Sequence, residues 1–481
     1  MSIARTVAKN TLFLTSGDII VKILSLVLVI YAARILGDVG FGKYSFVISF
    51  AVLFGIFTDL GLSTLLIREV ARDKSKASGY IGNMMIIKVF LSFIAYFMMI
   101  IAIELMNYPT DTKIAVYIYG IIMIVGPIGT CRTGFRAFER MEYEALMSIL
   151  ERAIIVTLGI ALLLLGYGLI GLISAFPVAT AVVAFTSYEI FRKKFAKPVF
   201  EVNLEFWKIL IKKALPFSFL LVFGMVYFAI DRVMLSIMVG DAPTGWYSAA
   251  YNLIIALTFI PAAFMGSLLP LASHLFKSSK DMLMNAYEKS LRYTFIVGFP
   301  IAIGLMLLSD RVTWTVYGIG YNNSIVALRI LSWGLLFIFL NSVLGTILVA
   351  TDKEKFYAYV LGATLILNVV MNAVLIPSMM HIGASIATLA SELLFFFASF
   401  YHLSRHLHFV STHNGLKPVI SGVIMGAFVF CLHDMFLPVL VLSAAALYFL
   451  TLFVIGGVDK EDIDTFKKII GREKRSNKRC K

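Results

Sequence analysis

The sequence predicts an all-α polytopic membrane protein of about fourteen transmembrane helices, arranged as two pseudo-symmetric six-helix lobes followed by a C-terminal helix pair. Three observations carry that prediction. The 481 residues are 60% hydrophobic and only 15% charged, with a mean hydropathy of +0.91, which leaves too little polar surface for a soluble domain. Apolar runs recur at the length of about 20 residues that hydrocarbon requires. The net charge of +14 gathers in alternate loops and in the tail, the pattern of membrane topology rather than of a nucleic-acid-binding surface.

In chain order the first element is a hairpin from Thr11 to Ile67, two apolar segments joined by Gly37-Asp38-Val39-Gly40 and closed by the charged run Arg68 to Asp73. Four connecting residues leave no room for a folded domain between them. Its first helix breaks the apolar rule: Thr11, Thr15, Asp18, Lys22 and Ser25 recur at alternating steps of four and three, on one helical face. A central Lys or Asp costs about 2.5 to 3.5 kcal/mol in lipid, so that stripe should face protein or a watery cavity. Apolar runs bounded by charge or by Gly, Pro and Asn then place spans near 11–35, 41–67, 81–105, 114–131, 145–165, 168–191, 209–239, 245–271, 290–309, 324–350, 356–376, 382–401, 417–436 and 437–456. Pro127, Pro177, Pro261 and Pro300 fall within spans, where each removes a backbone hydrogen bond and permits a kink.

Basic residues fix the expected orientation. Arg68, Arg72, Lys74 and Lys76, then Arg132, Arg136 and Arg140, then Arg192, Lys193, Lys194 and Lys197 fall in every second loop, as do Lys277, Lys280, Lys353, Lys355 and Arg405, whereas the other loops hold little beyond Lys43, Lys113 and Arg311. Both termini are therefore expected in the cytoplasm. Trp246, Tyr247, Trp314, Tyr317 and Tyr321 are expected to form an aromatic belt on the outer side. Cys131, Cys431 and Cys480 form neither a CxxC pair nor a disulfide framework. His402, His406, His408 and His413 cluster in one loop, but no carboxylate or cysteine completes a known metal spacing, so no metal site is expected. In the tail, Ile463, Phe466, Ile469 and Ile470 recur at helical spacing among lysines, as in an interfacial helix on anionic headgroups.

An internal repeat appears when Leu36–Phe46 (LGDVGFGKYSF) is laid on Val239–Ala249 (VGDAPTGWYSA): Gly37, Asp38, Gly42, Tyr44 and Ser45 match Gly240, Asp241, Gly245, Tyr247 and Ser248. Both copies sit between the first and second spans of a lobe, and an even number of spans separates them, so the lobes share one orientation about an axis along the membrane normal. Expected boundaries are 1–200 and 201–405 for the lobes, 406–456 for the added pair and 457–481 for a basic cytoplasmic tail. Two such bundles imply transport by rocking around a midplane site.

The run ARILGDVGFGKYSF (Ala33 to Phe46), DLGL (Asp59 to Leu62) followed by REVARD, FRAFERMEYEA (Phe135 to Ala145), and IDRVML (Ile230 to Leu235) before VGDAPTGWYSAAYN resemble the polysaccharide-transporter branch of the multidrug/oligosaccharidyl-lipid/polysaccharide exporter superfamily, the Wzx-type flippase group. The resemblance spans both lobes and is strongest before residue 260, with the FRAFER loop its most specific piece. It implies movement of a glycan linked to a polyprenyl or dolichyl (di)phosphate from the inner to the outer leaflet. The expected partners are membrane lipids and that substrate, with no nucleic acid, and the chain is expected to act as a monomer.

An anionic phosphate in low dielectric needs cations. Lys22, Arg34, Lys88, Arg232 and Arg329 lie inside spans and are the candidate substrate contacts, with Lys22 able instead to pair with Asp18 one turn away, and Arg34 and Arg329 able to snorkel. Asp18, Asp59, Asp231, Asn368, Asn372 and Glu392 are candidates for coupling to Na+ or a proton, or for polar glue between helices. Arg68, Glu69, Arg136, Glu139 and Arg140 are candidates for a cytoplasmic gate or a solvated loop. No cofactor and no catalytic residue is expected. A drug or cation antiporter of the same superfamily is the rival reading, and a membrane polysaccharide polymerase or glycosyltransferase the rival of another class. Against the latter, the chain lacks a sizeable outer loop, HExxH and Walker A motifs, and a nucleotide-sugar carboxylate pair.

Overall fold

In the structure, a computed structural model, residues 3–407 and 416–457 are described. They form sixteen α-helices joined by short turns. In order these are α1 (Ile3–Asp59), α2 (Leu62–Arg72), α3 (Ala77–Glu104), α4 (Thr110–Val125), α5 (Thr130–Ala137), α6 (Met141–Leu164), α7 (Gly168–Lys194), α8 (Leu204–Val239), α9 (Asp241–Leu257), α10 (Phe259–Ser278), α11 (Lys280–Leu307), α12 (Ser309–Tyr317), α13 (Ser324–Ala350), α14 (Glu354–Leu407), α15 (Leu416–Cys431) and α16 (Leu437–Val454). Among the described residues, 11 helical stretches are long and apolar enough to cross a membrane, and Leu416–Cys431 adds a shorter apolar helix. The proposed tail helix at Ile463–Ile470, and His406, His408 and His413, lie outside the residues whose side chains are described.

A straight helix of 57 residues, the span of α1, would measure about 85 Å, nearly three times the hydrocarbon thickness of about 30 Å. It breaks at Gly37, whose φ of 69° and ψ of −178° belong to a region that only glycine enters readily. Gly240 takes nearly the same conformation, φ 92° and ψ −172°, between α8 and α9. The sequence repeat is thus a backbone repeat as well. α14 breaks in the same way at Met380.

Boundaries follow local chemistry. The expected span 324–350 coincides with α13. That at 41–67 stops at Asp59, because Leu60 and Gly61 take positive φ and redirect the chain into α2, whose Leu62, Leu65, Leu66 and Val70 face inward. The span at 245–271 divides into α9 and α10 at Thr258, and a 3-10 turn at Gly126–Gly129, carrying Pro127, separates α4 from α5. The aromatic belt needs correction: Tyr247, Tyr317 and Tyr321 are fully buried, and of the five only Trp314 is largely exposed. Tyr321 instead donates its hydroxyl to the Ala33 carbonyl at 2.8 Å.

Buried apolar residues gather mainly by chain half. Two clusters draw on residues between Leu28 and Ala214 and two on residues between Leu235 and Leu452. One of the first pair also takes in Val233, Ala249, Tyr317 and Tyr321, so the halves share a core near Gly37. There the two copies of the repeat meet. A Cβ on Gly42 would stand 1.8 Å from the Asp241 carbonyl oxygen, and one on Gly245 would stand 2.0 Å from that of Asp38. The Trp246 indole N–H donates to Asp38 at 2.9 Å, the Tyr108 hydroxyl to Ser236 at 2.9 Å, and the Arg34 guanidinium to the carbonyls of Val316 and Thr315. At the opposite end, the start of α8 rests on the first half, with the Trp207 indole donating to Asn83 at 2.8 Å.

Within the first half, Lys88 on α3 pairs with Asp59 at 2.5 Å and donates to Ser63 at 2.8 Å. Ser63 also donates to Asp59 at 2.7 Å. This triad pins the junction of α1 and α2 to α3, and its Asp59 and Lys88 line a cavity of about 290 Å³.

Two outcomes are expected from these contacts. Gly245→Val would cost the closed seam about 1 to 3 kcal/mol through overpacking; spin labels at the exposed Val39 and Ile319 should then report a longer distance than in the parent, and an unchanged distance would contradict the close approach. Asp59→Asn, which leaves the Lys88 ammonium without its counterion, should lower unfolding free energy by about 3 kcal/mol, and adding Lys88→Met should recover much of it. Equal stability of the single variant and the parent in denaturant titrations would contradict a structural pair.

Candidate functional site

Two cations without an ion pair among the described residues, Arg232 and Lys22, lie where the halves meet. Ile48, Ser49 and Val52 of α1 and Gly224, Phe228 and Arg232 of α8 line a cavity of about 390 Å³. Arg232 stands at its wall. One terminal nitrogen donates to Asn252 at 3.3 Å, the guanidinium carbon lies 5.2 Å from the Tyr251 ring centre, and Nε is buried without a partner. No carboxylate pairs with it among the described residues. Asp231, its chain neighbour, points elsewhere, as the turn of about 100° per residue dictates.

Lys22 joins the two halves at greater depth. Its ammonium donates to the Thr258 hydroxyl at 3.2 Å and lies 6.0 Å from the Phe259 ring centre, where α9 gives way to α10. Asp18 is exposed, and the alternative ion pair between it and Lys22 is not formed among the described residues. Thr15 and Ser25 are half-buried on the same face, whereas the side chain of Thr11 lies outside the described residues.

Acidic candidates of the second half come together in pairs. Asp231 is buried and accepts from the Tyr247 hydroxyl at 2.5 Å, from Thr388 at 2.9 Å and from the Asn372 amide at 2.6 Å. Asn372 also donates to Asn368 at 3.1 Å. Glu392 accepts from the Tyr227 hydroxyl at 2.8 Å and from Asn341 at 2.8 Å. Every one of these donors is neutral, so a negative charge on either carboxyl has only dipoles to hold it. Beside Asp231 and Glu392 the amide oxygens of Asn372 and Asn341 are buried without partners among the described residues.

Other candidates have protein partners. Arg34 is spent on the carbonyls of α12, Lys88 on Asp59, and the exposed Arg329 donates to Ser309 at 2.9 Å. Of the proposed gate residues, Arg68 pairs with its neighbour Glu69 at 2.9 Å and Arg140 with Glu142 at 2.7 Å, whereas the Glu139 carbonyl accepts from the distant Asn10 of α1 at 3.0 Å. Arg136 is exposed. The FRAFER loop owes its shape to its rings, since Phe135 and Phe138 pack on Phe191 and Phe195 and leave the charges outside. His402 stacks on Phe356, and no group of three or more potential metal ligands forms among the described residues.

Sequence reasoning passed over one ionic network. Arg132 pairs with Glu144 at 3.1 Å and with Glu151 at 2.7 Å and bonds Ser148 at 2.5 Å, while Thr180 donates to Glu151 at 3.2 Å. The signal was present, because Glu151-Arg152 interrupts the apolar run of α6.

Residues 7–276, more than half of the chain, match the family described as Polysaccharide biosynthesis protein, and residues 216–374 match the MatE family. The chain is 26% identical to the capsular polysaccharide biosynthesis protein CapF of Staphylococcus aureus over 42% of this chain and 52% of that one, so it spans about half the length of that relative in the match. It is 24% identical to a Shigella flexneri protein provisionally named an O-antigen transporter, over 79% of this chain and 94% of that one. Among solved structures, the lipid II flippase MurJ in an inward closed conformation superposes with a TM-score of 0.76 at 16% identity, over 92% of this chain and 98% of that one, which establishes a shared fold. The chain is accordingly a multi-pass membrane protein that belongs to the polysaccharide biosynthesis protein family of the multidrug/oligosaccharidyl-lipid/polysaccharide exporter superfamily.

Proposed function

We propose that this protein is a flippase, not an enzyme, and that it carries a glycan linked to a polyprenyl or dolichyl (di)phosphate across the cytoplasmic membrane. The observation that carries the reading is Arg232, a guanidinium at the wall of a seam cavity that no carboxylate among the described residues pairs. Such a charge is costly in a low-dielectric interior unless an anion visits it. The family match supports the glycan, as do the names of the CapF and O-antigen relatives.

In this reading residues 1–200 and 201–405 are two six-helix lobes, 406–456 is an added pair, and each half of α1 and α14 counts as one of fourteen passes. Both termini face the cytoplasm, as the loop charges require. The Gly37 end is then the outer side, closed in this structure by the crossing of the two glycine repeats. Lys22 and Arg232 hold the phosphate in turn. The cluster of Asp231, Asn368, Asn372 and Thr388 supplies coupling, since Na+ or a proton would neutralise a carboxylate that otherwise has only neutral donors. One copy suffices for all of these steps.

The MatE match over residues 216–374 and that same acidic cluster favour a second reading, an ion-coupled antiporter of drugs or cations. One assay separates the two. In proteoliposomes containing a fluorescent polyprenyl diphosphate oligosaccharide, the parent protein should expose the probe to an outer reagent, and Arg232→Ala should slow this at least about tenfold, the scale of one lost charge-assisted hydrogen bond. Asp231→Asn should abolish acceleration by an imposed Na+ or pH gradient while leaving downhill movement. Absence of flipping by the parent, with uptake of a cationic dye in its place, would overturn the glycan reading.

A further inference from the structure

Arg152 has been given no role so far, and its surroundings are unusual. On α6, Leu146, Thr157, Ala161 and Leu164 are exposed, whereas Ala145, Val156, Gly159 and Leu163 are buried. Steps of seven place Ala145, Arg152 and Gly159 on one line of the buried face. Both neighbours on that line touch α1: a Cβ on Gly17 would lie 3.0 Å from the Ala145 Cβ, and one on Gly159 would lie 3.4 Å from Leu28. The contacts advance together along both chains, so α6 and α1 run parallel, and Arg152, midway between 145 and 159, falls at the level of Lys22, about midway between 17 and 28.

Unlike Glu151, which is taken by Arg132 and Thr180, Arg152 has neither an ion pair nor a hydrogen bond to its guanidinium among the described residues. It is half-buried. Arg232 lies eight residues before Gly240, about 12 Å along its helix, and Lys22 fifteen residues before Gly37, about 22 Å. The cations therefore stand at two depths.

Resting on the flippase reading, we infer that Arg152 is an anion-binding residue that forms a deep tier with Lys22, below a shallow tier at Arg232, so that a phosphate or diphosphate group moves from the first pair to the second. A guanidinium suits the task because its fork meets two phosphate oxygens at once, which an ammonium cannot do.

The test is binding to the full chain in nanodiscs, with farnesyl diphosphate, farnesol and inorganic pyrophosphate as probes. The parent should prefer farnesyl diphosphate to farnesol. Arg152→Gln should lose about tenfold or more in affinity for the diphosphate with farnesol unchanged, and Arg152→Lys, which keeps the charge without the fork, should fall between them. A merely structural arginine would move the melting temperature or both affinities together. Unchanged preference in both variants, or an equal loss of both ligands, overturns the assignment of Arg152. A parent that does not prefer the diphosphate overturns both this inference and the flippase reading. Pyrophosphate binding as tight as that of farnesyl diphosphate, and lost in Arg152→Gln, supports the anion site but overturns the lipid-linked substrate.

Discussion

A guanidinium inside a bundle of apolar helices must be paired, hydrated or visited, because isolated charge in a low dielectric costs several kcal/mol. This chain satisfies the rule in two different ways. Away from the seam its intramembrane cations have settled partners, Lys88 in Asp59 and Arg132 in two glutamates, and at the closed Gly37 end Arg34 is spent on two carbonyls of the opposite half. At the seam, Lys22 and Arg232 make no ion pair among the described residues, and neither does Arg152 on the face of α6 that turns toward α1. The contrast places the transport reading in the seam rather than in the first-half cavity, which already contains a neutralised pair.

The same seam needs a closure that can be undone. At the Gly37 end it is closed by backbone against backbone, with Gly42 and Gly245 removing the side chains that would hold the halves apart. Such contact is close but shallow, and the polar bonds around it are few and mostly to carbonyls or single hydroxyls. Breaking it exposes no buried ion pair. Matched Gly-Asp copies on the two halves let the same close approach be made from each side, Gly42 against Asp241 and Gly245 against Asp38.

Much of the fold was legible because hydrocarbon imposes length. Span 324–350 was placed to the residue, and Gly37 was read as a break because two apolar runs meet there. What escaped was orientation around each helix. The tyrosines of the supposed belt have rings suited to an interface, yet Tyr247 and Tyr321 turn inward, where a carboxyl and a carbonyl claim their hydroxyls. Lys88 and Arg34 looked like free cations because their partners, Asp59 and the carbonyls of Thr315 and Val316, are distant in sequence or belong to the backbone. Asn368 and Asn372 share a helical face by their spacing of four, but nothing in the chain shows that Asp231 and Tyr247, more than a hundred residues earlier, close on that face and on Thr388. Arg152 was readable in principle, as a charge inside an apolar run, and was passed over because the pairing of its neighbour Glu151 had not been foreseen.

The most direct measurement is a cryo-EM structure of the protein with a polyprenyl diphosphate bound. The account predicts phosphate density in the seam, within hydrogen-bonding distance of Lys22 and Arg152 or of Arg232. Phosphate density seated instead on Arg34, Lys88 or Arg329, with the seam cavity filled by packed side chains, would contradict it.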